Sequence, residues 1–306
     1  MSKVKARSLK QKIVVYGITG MVGTRIQQLL SDHFKIIGPP HSHLDLTDRR
    51  KVQEHIDNVT PDQIIYTAGV TKVDQAQLNP KLAFESNAEI VEDICNYAVK
   101  KKIPVTYIST DAVFDGSQFD RPYNETDKPN PLSVYGQSKL KGEKAVLASS
   151  KNNCVVRTIM VYSADFPHKQ DFARLAYWSL KNQENFEAIP DQIINPTFVD
   201  DLVYALATIL EKKAKGIYHV AATDYTTNFG FVLKIAKIFK FNEKLITKFY
   251  FDDFFKGKPA PRTKCCWLDT TKFRKEFGRG ILHTIDESLK EFKKQIERLE
   301  PQPVDL

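Results

Sequence analysis

Two groups of residues have types and spacing that could do chemistry. The first is Gly17-Ile-Thr-Gly20-Met-Val-Gly23, which directly follows the apolar, β-branched run Lys12-Ile-Val-Val-Tyr16. Glycines between a strand and a helix let the backbone turn sharply and approach a pyrophosphate, whose charge then rests on the helix N-terminus. The spacing is G-x-x-G-x-x-G rather than G-x-G-x-x-G, and a mere tight turn is the competing reading. Its place at the head of an alternating pattern favours a dinucleotide. The second group is Tyr135-Gly-Gln-Ser-Lys139, at the start of a helical stretch. Residues four apart share a helix face. A free tyrosine titrates near ~10 and is a poor base at neutral pH. An ammonium one turn away is expected to favour the phenolate and bring the phenol closer to acid–base competence. Tyr-x-x-x-Lys by itself is common on surface helices. Combined with the glycine turn, and with Ser109-Thr110 closing a strand where Thr110 can hold a carbonyl oxygen, it reads as catalytic.

The elements that must position these residues alternate. Strands are expected at 12–16, 34–37, 63–67, 105–109 and 154–157, and helices at 22–31, 48–57, 81–101 and 134–147, with Thr47 as an N-cap. Strands alternating with helices predict an α/β fold, a doubly wound parallel (Rossmann) sheet covered on both faces. Residues 1–160 would form this dinucleotide-binding domain. The rhythm then breaks. Helices are expected at 198–212, 229–239 and 285–299 and a strand at 217–220, with a looser stretch up to Leu268. Residues 161–306 would form a smaller C-terminal substrate lobe, interleaved with elements that rejoin the sheet.

Composition narrows the function classes. The 306 residues are 42% hydrophobic and 27% charged, which excludes wholesale disorder. Four cysteines are too few for a disulfide framework, and the adjacent Cys265 and Cys266 suit neither a zinc knuckle nor a redox pair. No apolar run approaches the ~20 residues of a bilayer span. The basic stretch from Met1 to Lys12 precedes no apolar h-region, so a cytoplasmic protein with no membrane partner is expected. The net charge of +8 comes from Lys3, Lys5, Arg7, Lys10 and Lys12 and from scattered runs at 100–102, 212–213 and 290–294. These read as solvated helix faces, so nucleic acid is not expected as a partner. The excess still favours an anionic small ligand. His33, His55, His168, His219 and His283 lack metal-ligand spacing. Trp178 and the aromatics at 249–251 and 254–255 read as lobe packing, with a wall for a nucleoside base as the alternative.

Taken together, these residues resemble the short-chain dehydrogenase/reductase superfamily in its extended branch and, more narrowly, the dTDP-4-dehydrorhamnose reductase family. The carrying segments are Ala68-Gly-Val-Thr-Lys-Val-Asp74, Ser109-Thr-Asp-Ala-Val-Phe-Asp-Gly116, Tyr123-Asn-Glu-Thr-Asp-Lys-Pro129, Tyr135-Gly-Gln-Ser-Lys-Leu-Lys-Gly-Glu143 and Asp191-Gln-Ile-Ile-Asn-Pro-Thr197. The resemblance implies roles. Tyr135 would protonate the sugar 4-oxygen as hydride arrives. Lys139 would lower its pKa and bind the nicotinamide ribose, and Thr110 would orient the carbonyl. Gly17, Thr19, Gly20, Met21, Val22 and Gly23 would line the pyrophosphate. Asp45 and Leu46 would touch adenine, Ala68 and Gly69 would pass under the adenosine ribose, and Asn87 and Ser109 would support the cofactor. Asp111, Ala112, Met160, Phe172, Asp191 and Gln192 would face the substrate.

Three departures fall on the expected sugar pocket. The family's Arg-x-x-Trp-Val-Tyr reads Arg157-Thr-Ile-Met160-Val-Tyr162, its Ser-Thr-Asp-Tyr has Ala112 in place of tyrosine, and its Asn-Phe pair is Asp171-Phe172. None falls on Thr110, Tyr135 or Lys139. After the second strand, Gly38-Pro-Pro-His41-Ser-His43 offers no acid for a ribose 2′-hydroxyl before Asp45. His41, Ser42 and His43 could accept a 2′-phosphate, so NADP (NADPH) is preferred, with NAD as the alternative. The leading expectation is NAD(P)H-dependent reduction of a nucleotide-activated 4-keto-6-deoxy sugar, for deoxysugar or polysaccharide synthesis. The resemblance admits a homodimer, although the acidic magnesium-linked dimer site of some members has no counterpart. The rival reading is a non-catalytic dinucleotide-binding subunit like that which regulates methionine adenosyltransferase.

Overall fold

Side-chain alternation along the central strands sorts the core into two layers. In β1 (Lys12–Tyr16), Ile13 and Val15 fall in one cluster and Val14 and Tyr16 in another. The same split runs through β3 (Gln63–Tyr66), β4 (Val105–Thr110) and β5 (Cys154–Thr158). Strands buried on both faces need helices above and below. The computed structural model describes residues 10–166, 168 and 170–299. Lys3, Lys5 and Arg7 of the basic N-terminal run lie outside them.

One face is covered by α1 (Met21–Leu30) and α8 (Val199–Lys212), the other by α2 (Arg49–Val59), α5 (Ile90–Lys100) and α6 (Val134–Ser149). With β2 (Lys35–Ile37) at one edge and β8 (Gly216–His219) at the other, the six parallel strands run in the order β2-β1-β3-β4-β5-β8. The chain reverses its direction of growth between β1 and β3. The crevice at the carboxyl ends of those strands is the ligand site of such sheets. Elements beyond residue 160 therefore rejoin the sheet through α8 and β8.

Two expectations need correction. The cap of α2 is Asp48, whose side chain accepts from the Lys51 amide, because Thr47 gives both its amide and its hydroxyl to Asp45 Oδ1 at 2.9 Å. The expected helix over 81–101 is three pieces: α4 (Pro80–Phe84), a π-helical segment (Glu85–Glu89) and α5. It follows α3 (Val73–Leu78), which the pattern did not announce.

Most of the remaining elements build a second core. They are α7 (Phe172–Lys181), β6 (Phe186–Ala188), β7 (Ile193–Ile194), β9 (Thr226–Thr227), α9 (Asn228–Phe239), β10 (Ile246–Lys248), β11 (Cys265–Cys266) and α12 (Ile285–Leu299), with α10 (Phe251–Phe255) beside them. The helix α11 (Thr271–Phe277) instead carries Phe273 into the sheet core against Tyr218 of β8. β10 pairs with β6, and β7 lies between β11 and β9. Tyr162 sits at the centre of this second core, with ring centroids of Phe198, Phe231 and Phe292 at 5.4, 5.4 and 5.6 Å. All four cysteines are free and buried. Among the described residues, no helix is long and apolar enough to cross a membrane.

On the site side, α6 packs tightly on the π segment. A Cβ at Gly142 would lie 2.2 Å from the Asn87 carbonyl oxygen and 2.7 Å from the Tyr107 hydroxyl. Glycine-to-alanine in a helix ordinarily gains up to ~1 kcal/mol. Here overpacking should win: Gly142→Ala is expected to destabilise the protein by about 1–3 kcal/mol, read as a lower midpoint in urea unfolding.

Candidate active site

The glycine turn follows β1, and its three glycines do different things. Gly17 has φ +96°, and a Cβ there would sit 2.5 Å from the Ala68 amide nitrogen. A Cβ on Gly23 would lie 2.2 Å from the Gly17 carbonyl oxygen. These two glycines let backbone pack on backbone. A Cβ on Gly20 would meet nothing closer than the Gly17 oxygen at 3.3 Å. Gly20 is also the N-cap of α1 and, lacking a side chain, leaves the helix start without a side-chain cap. An open cradle, an uncapped helix start and the switch point together fit a pyrophosphate. Thr67 Oγ1 braces the turn, bonding the carbonyls of Tyr16 and Gly17 at 3.1 Å each. Thr19 is exposed, Met21 and Val22 are half-buried on the first turn of α1, and Val22 packs on the core beneath.

The Ala68–Gly69 turn lies directly against this loop. Gly69 has φ +137°, and a Cβ there would be 2.1 Å from Asn87 Oδ1. The Asn87 amide nitrogen donates to the Val70 carbonyl and to Ser138 Oγ, at 3.0 Å each. Asn87 thus ties the Ala68–Gly69 turn to α6. Its Oδ1, like Ser109 Oγ, is buried without a protein partner. Buried polar atoms ordinarily have partners, so both suit a bound ligand.

Thr110 ends β4, and the short 3₁₀ turn Asp111–Val113 follows it. Thr110 Oγ1 donates to Asp111 Oδ1 at 2.9 Å and accepts from the Ala112 amide at 3.2 Å. Gly136 lets the head of α6 meet this turn, since a Cβ there would be 2.1 Å from the Ala112 carbonyl oxygen. Ser133 caps the helix by accepting from the Gly136 amide. Tyr135 is thereby held beside Thr110 and Asp111. Burial pushes its phenol up to about 12, with Thr110 opposing the rise and Asp111 adding to it. Burial also pushes the Asp111 carboxyl up to about 7.

The expected lowering of Tyr135 by Lys139 is not what the geometry gives. Lys139 is buried, its Nζ donates to the Ile108 carbonyl at 2.6 Å, and it lies 4.0 Å from the centroid of the Tyr107 ring. Burial pushes its own titration down to about 7, against the pull of Glu143. The phenol stays a phenol, a form suited to donating a proton.

Other residues singled out in the sequence fall elsewhere. Asp45 is exposed and its Oδ1 is taken by Thr47, while Leu46 packs on the core beside β3. His41, Ser42 and His43 lie exposed on the turn after β2. Asp191 pairs with Lys264 Nζ at 2.7 Å and accepts from the Phe251 amide at 2.9 Å, and Gln192 donates to the Thr263 carbonyl at 3.0 Å. Both fasten the segment 251–264 to the lobe. Asp171 caps α7 and pairs with Arg174 at 2.9 Å. Phe172 packs on Phe186 and Phe231 in the lobe core. Met160 is half-buried just past β5 with φ +41°, a backbone state uncommon for a side chain of its size. Sequence reasoning missed Asp74, which accepts from the Ala260 amide at 3.2 Å and pairs with Arg262 at 2.9 Å. Partners 186 residues apart leave no local signal.

A parallel sheet with a glycine turn at its switch point and a tyrosine–lysine pair on an adjoining helix is the arrangement of a short-chain dehydrogenase/reductase. The sequence model described as the RmlD substrate binding domain matches residues 11–298. The dTDP-4-dehydrorhamnose reductase of Salmonella typhimurium is 34% identical over 224 residues, covering 70% of this chain and 74% of that protein. That of Aggregatibacter actinomycetemcomitans is 29% identical over 281 residues, covering 87% and 93%. The crystal structure of dTDP-4-dehydrorhamnose reductase from Bacillus anthracis in complex with NADP matches with a TM-score of 0.86 at 26% identity, covering 95% of this chain and 100% of that one. The chain belongs to the dTDP-4-dehydrorhamnose reductase family.

The glycines separate binding from folding. Gly20→Val is expected to abolish dinucleotide binding in calorimetry while the circular dichroism spectrum stays native. Gly23→Ala should lose the fold itself, because its Cβ would meet backbone. Unchanged cofactor affinity in a folded Gly20→Val protein would place the phosphate site elsewhere.

Proposed function

We propose that the protein reduces the 4-keto group of a nucleotide-activated 4-keto-6-deoxy sugar with NADPH, for deoxysugar or polysaccharide synthesis. The observation that carries this reading is the convergence of Thr110, Asp111, Tyr135 and Lys139 at the carboxyl edge of β4, with the glycine turn on the same edge. The family's reductases, including one solved with NADP, support it. Gly17, Gly20, Gly23 and the start of α1 would hold the pyrophosphate, with Ala68, Gly69 and Asn87 beside it. The turn after β2 presents His41, Ser42 and His43, and Asp45 is committed to Thr47; this favours a 2′-phosphate over a bare ribose and thus NADP over NAD.

NADPH, when bound, supplies the hydride for the 4-keto carbon. The chain's own part is the proton. Thr110, its hydroxyl turned from Asp111 to the substrate, orients the carbonyl oxygen, and the Tyr135 phenol, kept protonated by burial, donates to that oxygen as charge develops on it. Lys139, held at the Ile108 carbonyl, is placed one helical turn from Tyr135 to meet the nicotinamide ribose. Of the three departures from the family pattern, Asp171 serves as a helix cap and ion-pair partner, so it does not speak against turnover.

Tyr135→Phe is expected to keep NADPH binding and lose about 10²- to 10⁴-fold in turnover, the usual worth of general acid catalysis. Near-wild-type rates on any verified substrate would end the assignment. The pocket yields a second expectation. Met160 and Ala112 stand where the resembled family carries tryptophan and tyrosine, and a flexible thioether orients a sugar ring poorly. A site lacking a polar contact discriminates weakly at that position. Across a panel of 4-keto-6-deoxy nucleotide sugars, dTDP-4-dehydrorhamnose should not rank first, and Ala112→Tyr with Met160→Trp should raise its kcat/KM. If it ranks first and the double change lowers its rate, the pocket argument fails while the reductase reading stands.

A further inference from the structure

Behind the catalytic helix lies a buried charged group with no part in the chemistry above. Arg157 of β5 and Glu143 of α6 are each 2% exposed. Arg157 Nε donates to Glu143 Oε1 at 2.9 Å and its Nη2 to Oε2 at 2.7 Å, so both carboxylate oxygens are taken. The guanidinium lies 5.1 Å from the Phe114 ring centroid, and its Nη1 faces His219 Nε2 at 3.4 Å. His219 Nδ1 is 3.1 Å from the Tyr123 carbonyl. A carbonyl can only accept, so Nδ1 carries the proton and Nε2 is left to accept from Arg157. Burial, with the guanidinium beside it, pushes His219 down to about 3, so this third partner is neutral. Replacing such a buried pair by apolar residues is often neutral or stabilising, so stability alone does not account for it.

Glu143 stands four residues beyond Lys139, on the same face of α6. A free carboxylate in that position would draw the ammonium to itself. Instead Lys139 Nζ reaches forward to the Ile108 carbonyl. We propose that Arg157 is a positioning residue: by occupying both oxygens of Glu143 it withholds that carboxylate from Lys139 and leaves the ammonium aimed at the carboxyl edge of β4. The groups that face Lys139 are the Tyr107 ring and the Ile108 carbonyl from β4, with Glu143 one turn on in its own helix. The proposal deepens the reductase reading and rests on it for the purpose that Lys139 serves.

Arg157→Lys tests it, because an ammonium keeps the charge but cannot hold both oxygens in one plane. One readout is the titration of Lys139 Nζ by NMR in ¹⁵N-lysine-labelled protein, its signal assigned by its loss in Lys139→Met. The other is the KM for NADPH set beside kcat. In Arg157→Lys the Lys139 titration should move up, the KM for NADPH should rise, and kcat/KM should fall by about 10²-fold, the order expected of a misplaced group. Adding Glu143→Gln should return all three toward wild type. Glu143→Gln alone, a variant with no charge left to withhold, should titrate Lys139 no higher than wild type does. An unmoved Lys139 in Arg157→Lys, or a double variant no better than the single one, overturns the proposal. The NMR arm needs no turnover. A chain that reduces no 4-keto sugar yet shows these Lys139 shifts would sink the reductase reading alone, and full turnover with Lys139 unmoved would sink the positioning role alone.

Discussion

A lysine ammonium carried into the interior sets the terms for everything around it. Desolvation brings Lys139 down to about 7, so holding it charged near neutrality needs compensation from every side. The Ile108 carbonyl at 2.6 Å and the face of Tyr107 supply part of it. Those groups come within reach only because α6 lies close to the sheet and to the π segment, and Gly142 is what permits that approach. The π segment contributes in turn. Helices widened to this pitch free backbone groups that a regular helix would pair, and here the Asn87 carbonyl accepts the Tyr107 hydroxyl at 2.7 Å. The ring that faces the ammonium is thus fixed from its far end. Site and packing are one arrangement, and a change at Gly142, Asn87 or Tyr107 would be felt at Lys139 without touching a ligand.

What could be read from the chain was what neighbours in sequence decide. Glycines between a strand and a helix, or a tyrosine and a lysine one turn apart, are local patterns. The central strands and α6 stand within a residue or two of where their apolar periods put them. Burial is not local, and it raises the Tyr135 phenol where the lysine one turn away was expected to lower it. The resemblance gave Asp191 and Gln192 a place facing the substrate, and nothing near them in sequence shows their bonds to Lys264, Phe251 and Thr263. Strands of two or three residues, such as β7, β9 and β11, are too short to have a period at all. The helix α7 is a different kind of miss. Ala173, Ala176, Tyr177 and Leu180 have helical spacing behind the Asp171 cap, a signal present but spent on reading Asp171-Phe172 as a pocket pair.

The ties that hold the segment 251–264 follow another logic. Asp74 with Arg262, and Asp191 with Lys264, are partly exposed pairs. Pairs so open to solvent add little to stability, because water and salt screen them. Their backbone companions, the Ala260 and Phe251 amides, make them geometric devices more than stabilising ones, since each carboxylate holds a side chain and the main chain at once. The segment 251–264 is thereby held to the lobe at both ends, through Phe251 and Lys264 on Asp191, and to α3 in between, through Ala260 and Arg262 on Asp74.

This division of labour bears on how the sugar pocket can vary. The proton donor and its neighbours are fixed by contacts deep in the protein: Gly136 against Ala112, Lys139 on β4, Glu143 on Arg157. Met160 stands between tethers, for the Ile159 carbonyl accepts from the Thr197 amide at 3.0 Å and the Tyr162 amide donates to the Thr197 carbonyl at 3.0 Å. Its left-handed backbone is therefore imposed from both sides, and a new side chain there meets an unchanged path of the main chain. Ala112 is likewise an exchangeable side chain on a turn held by Thr110 and Gly136. On the function proposed above, substitutions at these two positions would alter which sugar the wall accepts. They would leave the delivery of the proton untouched, because no group that places Tyr135 or Lys139 depends on the side chain at either position.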